Sequence, residues 1–163
     1  SYDDESNPIS HVTGLDHLAG KTVVALADGA VVKDLEVNAD GSVDLPNPAG
    51  VISIGLPYEM VVETLDPEIR GENGTTVGDK KNVVRTVVFL RETRGLEIGP
   101  SRDSLVPLKF PIPARYNEAP PLFSGEMNIA IPGVHRTEAS VMMRQTDPLP
   151  VTVLAVATWV SIG

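Results

Sequence analysis

Thr22-Val23-Val24-Ala25-Leu26-Ala27, then Asp28-Gly29, then Ala30-Val31-Val32 decides the fold class. Two runs of small and β-branched apolar residues are joined by a two-residue Asp-Gly link. Such a link signals a hairpin, because a type I′ turn needs positive φ at both central positions. The device returns twelve residues on, as Leu35-Glu36-Val37-Asn38-Ala39, Asp40-Gly41 and Ser42-Val43-Asp44-Leu45. It predicts a second hairpin and a β-meander. Two copies are too few for a solenoid.

Working outward, Pro46-Asn47-Pro48 interrupts the pattern, after which Val51, Ser53 and Gly55 oppose Ile52, Ile54 and Leu56. Tyr58 to Leu65 reads as the next strand, and Asp66 to Lys81 as a polar, Gly-rich loop. Val83 to Glu92 places Val84, Thr86, Val88 and Leu90 on one face and Val83, Arg85, Val87, Phe89 and Arg91 on the other. A strand is favoured there, with a helix as the alternative. Pro100 to Pro121 is a Pro-rich connection. Three strands close the chain: Phe123 to Ile131, Ala139 to Gln145 with Val141 and Met143 on one face, and Pro150 to Ile162 behind a Thr146-Asp147-Pro148 turn. Short strands with regular turn signals predict a mainly β fold, an antiparallel β-sandwich or barrel built from hairpins with little helix. Residues 1–11 read as an acidic leader or linker and 12–163 as a single β-rich module, a division into two subdomains near 100–121 being the alternative.

Composition narrows the function. The chain has 163 residues, enough for one compact domain or two small ones, and 42% are hydrophobic, which excludes an acidic disordered tail. With 13 Lys+Arg against 22 Asp+Glu the net charge is −9, which argues against binding nucleic acid by neutralising phosphates. The absence of Cys removes disulfides, thiolate zinc sites and Cys nucleophiles together. Ser1-Tyr2-Asp3-Asp4-Glu5-Ser6-Asn7-Pro8 lacks an initiator Met, a basic region and an apolar core, so it is no signal peptide and reads as the cut end of a longer polypeptide. No apolar stretch reaches the roughly 18–20 residues of a membrane span. The longest, Val151 to Ala157, belongs in a core strand, and the chain reads as soluble with no membrane anchor.

No motif reaches catalytic grade. His11 and His17 lie six apart with Asp16 beside the second, a looser spacing than zinc sites use, so packing or hydrogen bonding by His17 is favoured; His135 stands alone. Glu36-x-Asn38-x-Asp40-Gly41 imitates the start of a calcium loop, but Asn47 stands where the bidentate Glu belongs, and the hairpin already explains these residues. Gly71 to Lys81 fails the phosphate-loop pattern, since Asp79 follows Gly78. Gly50 to Gly55 holds Ser53 at the wrong spacing for a nucleophile elbow. Asn73-Gly74-Thr75 is a formal glycosylation sequon. Asp3, Asp4 and Glu5 read as a solvated run, whereas Glu63, Asp66 and Glu68 flank a turn where acid/base carboxylates could sit. Tyr58, Tyr116 and Trp159 are too scattered for a sugar-stacking face, and Trp159 reads as a core residue or an interface anchor. The sequence thus predicts no catalytic, cofactor-binding or metal residues, no cofactor and no enzyme activity.

Several blocks, in order, resemble a known family. Gly14-Leu15-Asp16-His17-Leu18-Ala19-Gly20-Lys21-Thr22-Val23, followed by Ala27-Asp28-Gly29, is similar to the Gly-Leu-x-His-Leu-x-Gly-x-x-Val…Ala-Asp-Gly signature of bacteriophage and prophage tail proteins of the nozzle, tubular or stabilisation type. Val51 to Tyr58 with Gly55-Leu56-Pro57-Tyr58, then Glu63-Thr64-Leu65, Gly74-Thr75-Thr76, Lys80-Lys81, Thr93-Arg94-Gly95-Leu96 and Ser124-Gly125 keep the order. Gln145-x-Asp147-Pro148-Leu149-Pro150-x-Thr152-Val153-Leu154-Ala155 resembles the closing segment. The resemblance runs from Gly14 to about Ala155 and implies a module in the C-terminal part of a longer tail protein of short-tailed phages. It implies a structural role in tail assembly and the DNA exit channel, with other copies in a ring, typically a hexamer, and neighbouring tail proteins as partners. DNA then passes without specific binding, and the protein resides in the virion after synthesis in the bacterial cytoplasm. The rivals are a carbohydrate-binding module recognising a host-surface glycan at the tail tip, and a glycan hydrolase working with Glu63 and Asp66.

Overall fold

The computed structural model describes every residue except 69, 72, 73, 77, 112–119, 132–138 and 163. Among the described residues every strand pairing is antiparallel, and two single-turn 3₁₀ segments stand at Asp16–Leu18 and Arg102–Ser104. Two compact units share it: Ser1–Glu59 with Pro111–Pro121 and Thr146–Leu149, and Met60–Phe110 with Leu122–Gln145 and Pro150–Gly163. The chain therefore passes between units five times, after residues 59, 110, 121, 145 and 149.

The first unit holds β1 (Tyr2–Asp3), β2 (Ile9–Val12), β3 (Thr22–Ala27), β4 (Ala30–Glu36), β5 (Val43–Ala49) and β6 (Val51–Gly55). A sheet in the order β1-β6-β3-β4 lies with a two-stranded β2-β5 ladder around Ala25, Ala27, Leu45, Ala49 and Ile52. The first hairpin forms as its turn chemistry requires. Asp28 and Gly29 have φ of 47° and 77°, and Ala27 pairs with Ala30.

The second Asp-Gly device makes the turn but not the ladder. Asn38 N–H donates to Ser42 O at 2.8 Å and Gly41 adopts φ 72°, yet β5 pairs with β2 rather than with β4. β5 also runs through Pro46-Asn47-Pro48, where the sequence suggested a break. The ladder explains this: Ile9 faces Ala49 and His11 faces Asp44, so the two prolines sit in an irregular stretch whose amides have no ladder bond to lose. Residues 1–11, read as a leader, supply β1 and most of β2, because Tyr2 and Ile9 find apolar partners in this core.

The second unit holds β7 (Met60–Glu63), β8 (Arg70–Gly71), β9 (Gly74–Thr75), β10 (Lys81–Thr93), β11 (Glu97–Gly99), β12 (Val106–Pro107), β13 (Phe123–Ile129), β14 (Met142–Gln145) and β15 (Val153–Ile162). Sheets in the orders β13-β10-β15 and β12-β11-β14-β7 share a core of Val83, Val88, Leu90, Leu96, Ile98, Val141 and Met143. This is sandwich packing, with inward residues of both sheets filling one apolar layer. β8 and β9 form a small ladder within the polar loop.

Val83 to Glu92 is a strand, not a helix, but its faces differ from strict alternation. The register shifts between Val83 and Arg85, so Val84 turns outward, 46% exposed, while Val83 joins Thr86, Val88 and Leu90 inside. A second irregularity between Leu90 and Thr93, with Glu92 at φ 46°, returns Thr93 to the buried face. A bulge inserts one unpaired residue and re-aims everything after it.

Candidate functional site

The blocks that carried the resemblance begin with a scaffold element. Gly14 to Gly20 folds as a loop whose 3₁₀ turn sends Leu18 into a small cluster with Val23 and Val37. Leu15 N–H donates to Gly41 O at 2.9 Å. A Cβ on Gly41 would meet Asp16 N at 2.6 Å, so only glycine allows this close approach. Gly41 and Leu18 thus hold one turn against another. His17, expected to pack or bond, is exposed. His11 forms the polar contact instead, its Nδ1 2.7 Å from Asp44 Oδ1 on an exposed surface.

The calcium-like residues are spent on the turn. Ser42 N–H and Oγ–H donate to Asp40 Oδ1 at 3.0 and 2.6 Å, and Asn38 Nδ2 donates to Ser42 Oγ at 3.0 Å. These bonds, the Ser42 hydroxyl first, hold the Asp40 carboxyl below its ordinary range. Asp28 works similarly across the chain: its carboxylate accepts from Gly50 N–H at 3.1 Å and Val51 N–H at 2.7 Å, while Asp28 N–H donates to Val51 O. Among the described residues no group of three or more His, Asp or Glu side chains could hold a metal ion.

Glu63 and Asp66, the candidate acid/base pair, are both engaged in the second unit. Glu63 Oε1 accepts from Ser140 Oγ–H at 2.6 Å. Asp66 accepts from Ala139 N–H at 2.8 Å and from the Lys81 ammonium, whose Nζ also donates to Pro67 O at 3.1 Å. The Ala139 amide and then Lys81 pull the Asp66 carboxyl below its usual range. Lys81 is 1% exposed, a buried cation held by one carboxylate and one carbonyl. The sequence marked Lys81 only as part of a motif; nothing in it announced burial. Glu68 Oε1 accepts from Thr75 Oγ1–H at 2.9 Å. Asn73, Tyr116 and His135, and with Asn73 the sequon, lie outside the described residues.

Two other features stand out in this unit. The outward face of the β13-β10-β15 sheet sets Arg85 opposite Trp159, Val87 between Asn128 and Ala157, and Phe89 between Glu126 and Ala155. Trp159 is therefore a surface residue, 47% exposed, and not part of the core. The Arg85 guanidinium lies 4.6 Å from its ring centroid while Arg85 Nε–H donates to Asn128 Oδ1 at 2.9 Å. That is cation–π geometry fixed by an amide. The other feature is an apolar groove of about 450 Å³ between β7 and the first half of β15, lined by Met60, Val62, Met143, Val151, Val153 and Val156.

No helix among the described residues is long and apolar enough to cross a membrane. Neither the protein-family models nor the curated proteins contain a match to the chain.

Proposed function

We propose that this chain is a structural module of a phage or prophage tail protein, acting in tail assembly and at the channel through which DNA leaves. The observation that carries the reading is the outward face of the β13-β10-β15 sheet. There Phe89 and Trp159 stand exposed around a buried Val87, and β15 supplies ten residues without a single charge, Gly or Pro. Long uncharged strands are a liability for a protein that stays alone, and a contact surface for one that assembles. The resemblance from Gly14 to Ala155 supplies the kind of assembly, a ring of copies, typically six, with neighbouring tail proteins. The net charge of −9 fits a channel wall that repels phosphates and lets DNA slide. The test is immunolabelling of purified virions with antibody against this chain. Label at the tail supports the reading; label confined to host-cell debris contradicts it.

One arrangement favours a second reading, recognition of a host-surface glycan. An exposed indole beside Arg85 and Asn128 combines a stacking surface with hydrogen-bond donors, the elements of a sugar subsite. A lipopolysaccharide or glycan array separates the two: saturable binding lost on Trp159→Ala supports the glycan, and no binding supports the structural role.

A further inference from the structure

Among the described residues, the two larger sheets of the second unit end in β13 and β15 and in β12 and β7. An edge strand presents unpaired main-chain N–H and C=O groups, and proteins that stay alone blunt it with a charge, a proline or a break. Three of these four edges are blunted. β13 carries Glu126 and a Gly125 at φ 146°, β12 ends in Pro107, and β7 ends in Glu63. β15 is the longest of them, ten residues from Val153 to Ile162, and it holds no charge, no Gly and no Pro. Its one inserted residue is near the start, Leu154, which falls between the pairs Leu90–Val153 and Phe89–Ala155. Over residues 155–162 the strand itself runs regularly.

That regular stretch is complementary to itself. Laid antiparallel about Thr158, two copies bring Ala155 opposite Ser161, Val156 opposite Val160, Ala157 opposite Trp159, and Thr158 opposite its own counterpart. Opposite residues point to the same side of a sheet, and each of these pairs obeys that rule. Val156, Thr158 and Val160 turn inward with their buried neighbours Val88, Thr86 and Val83, whereas Ala155, Ala157 and Trp159 turn outward. The outward row therefore sets an indole beside an alanine on both sides of the axis, a large side chain against a small one. The inward row sets β-branched residues against each other, a favourable cross-strand match. Val156 also lines the apolar groove, so the partner's Val160 carries the apolar row on across that opening.

Charge does not oppose such a pair. The second unit has as many acidic as basic side chains, so the net −9 of the chain belongs to the first, and β15 contributes no charge at all. We propose that β15 is a self-pairing edge. Two copies of this chain join antiparallel along residues 155–161 about a two-fold axis at Thr158, and their three-stranded sheets become one continuous sheet. Each Trp159, 47% exposed in the single chain, lies against the partner's Ala157, an aromatic anchor at the middle of the contact. The contact is isologous and closes after two copies, whereas a ring needs a contact between unlike surfaces. The inference therefore goes beyond the tail reading and does not rest on it.

The test uses the full chain, which has no cysteine of its own. Sedimentation velocity should show a monomer–dimer equilibrium, and amide hydrogen exchange across residues 155–161 should slow as protein concentration rises. Crosslinking reads the register. Directly opposite residues lie about 4.5–5.5 Å apart at Cα, within reach of a disulfide. Ala155→Cys and Ser161→Cys are both at exposed positions. Mixed and oxidised, they should link to one another in about tenfold or greater excess over either linking to itself. Ala157→Lys places beside the partner's indole the charge that natural edges use against pairing, and should weaken the dimer by about tenfold or more. Four results overturn the proposal: a monomer at every concentration, a dimer that Ala157→Lys leaves as tight, equal self-linking and cross-linking of the two cysteine variants, or exchange at 155–161 that is slow whatever the concentration. The last would mean that the edge is covered within one chain.

Discussion

The two units solve one problem with different means. The first has a thin core, dominated by Ala and Val, and it is held by carboxylates bonded to main-chain amides: Asp28 to Gly50 and Val51, Asp40 to Ser42, Asp4 to Ser6. The second has long strands, a core of Val, Leu, Ile and Met, and four polar side chains sunk into it: Lys81, Thr86, Thr93 and Gln145. Small apolar residues bury little area each, so the first unit depends on local hydrogen bonds. The second gains more from burial, but it must satisfy every polar group it encloses. It does so for three of the four. Thr93 bonds Arg91 O and both main-chain groups of Thr152, Gln145 Nε2 donates to Arg94 O, and Lys81 has Asp66 and Pro67 O. Thr86 Oγ1 has no partner among the described groups.

That contrast can be broken from either side. The largest effect belongs to the core of the second unit: Leu96→Ala, at a side chain with no exposure, should cost about 3–4 kcal/mol in denaturant unfolding. Asp66→Ala follows at about 3 kcal/mol, near the low end for a broken buried pair because the carboxylate is about a third exposed. Lys81→Met should cost clearly less, since it removes the buried charge together with its need for a partner.

In the first unit Asp28→Ala should cost about 1–2 kcal/mol, through the lost amide acceptors and the positive φ that alanine resists. A loss as large as that of Leu96→Ala would mean that its core, not its turns, holds it. The smallest effect has the opposite sign. Thr86→Val should raise stability by about 1 kcal/mol, because it replaces an unbonded buried hydroxyl with an isosteric methyl; a destabilised variant would show that the hydroxyl is bonded after all.

Acid sharpens the same contrast. The folded-state Asp66 carboxyl titrates below its ordinary value, so its contribution is complete above the unfolded value of about 3.9 and fades as pH falls through the lower folded value. Asp66→Asn should flatten the loss of stability below about pH 4 relative to the parent chain. An unchanged acid slope would show that other carboxylates dominate it.

How much was legible follows the same division. Asp28-Gly29 names its own hairpin because both strands and the turn lie within eleven residues, Thr22 to Val32, and the torsions are set locally. Asp40-Gly41 names only a turn; what β5 pairs with was decided by Ile9 and Val12, far along the chain. In β10 the extended conformation and the shared face of Thr86, Val88 and Leu90 were readable from Val, Thr and Phe, but the bulges at Val84 and near Glu92 were not, and the first of them exchanges Val83 for Val84 inside. Arg85 faces outward and its cross-strand partner Trp159 with it, so of the two readings of that residue, core or interface anchor, it is the core one that fails. The open edge of β15 was not legible, since an edge is defined by a neighbour that fails to arrive.

The proposal that this chain serves an assembly is tested most directly by a density map of the intact virion. Copies of the chain are then expected around the DNA exit channel, with the outward face of the β13-β10-β15 sheet in contact with other tail protein. A tail complete in every feature but lacking this chain would contradict it.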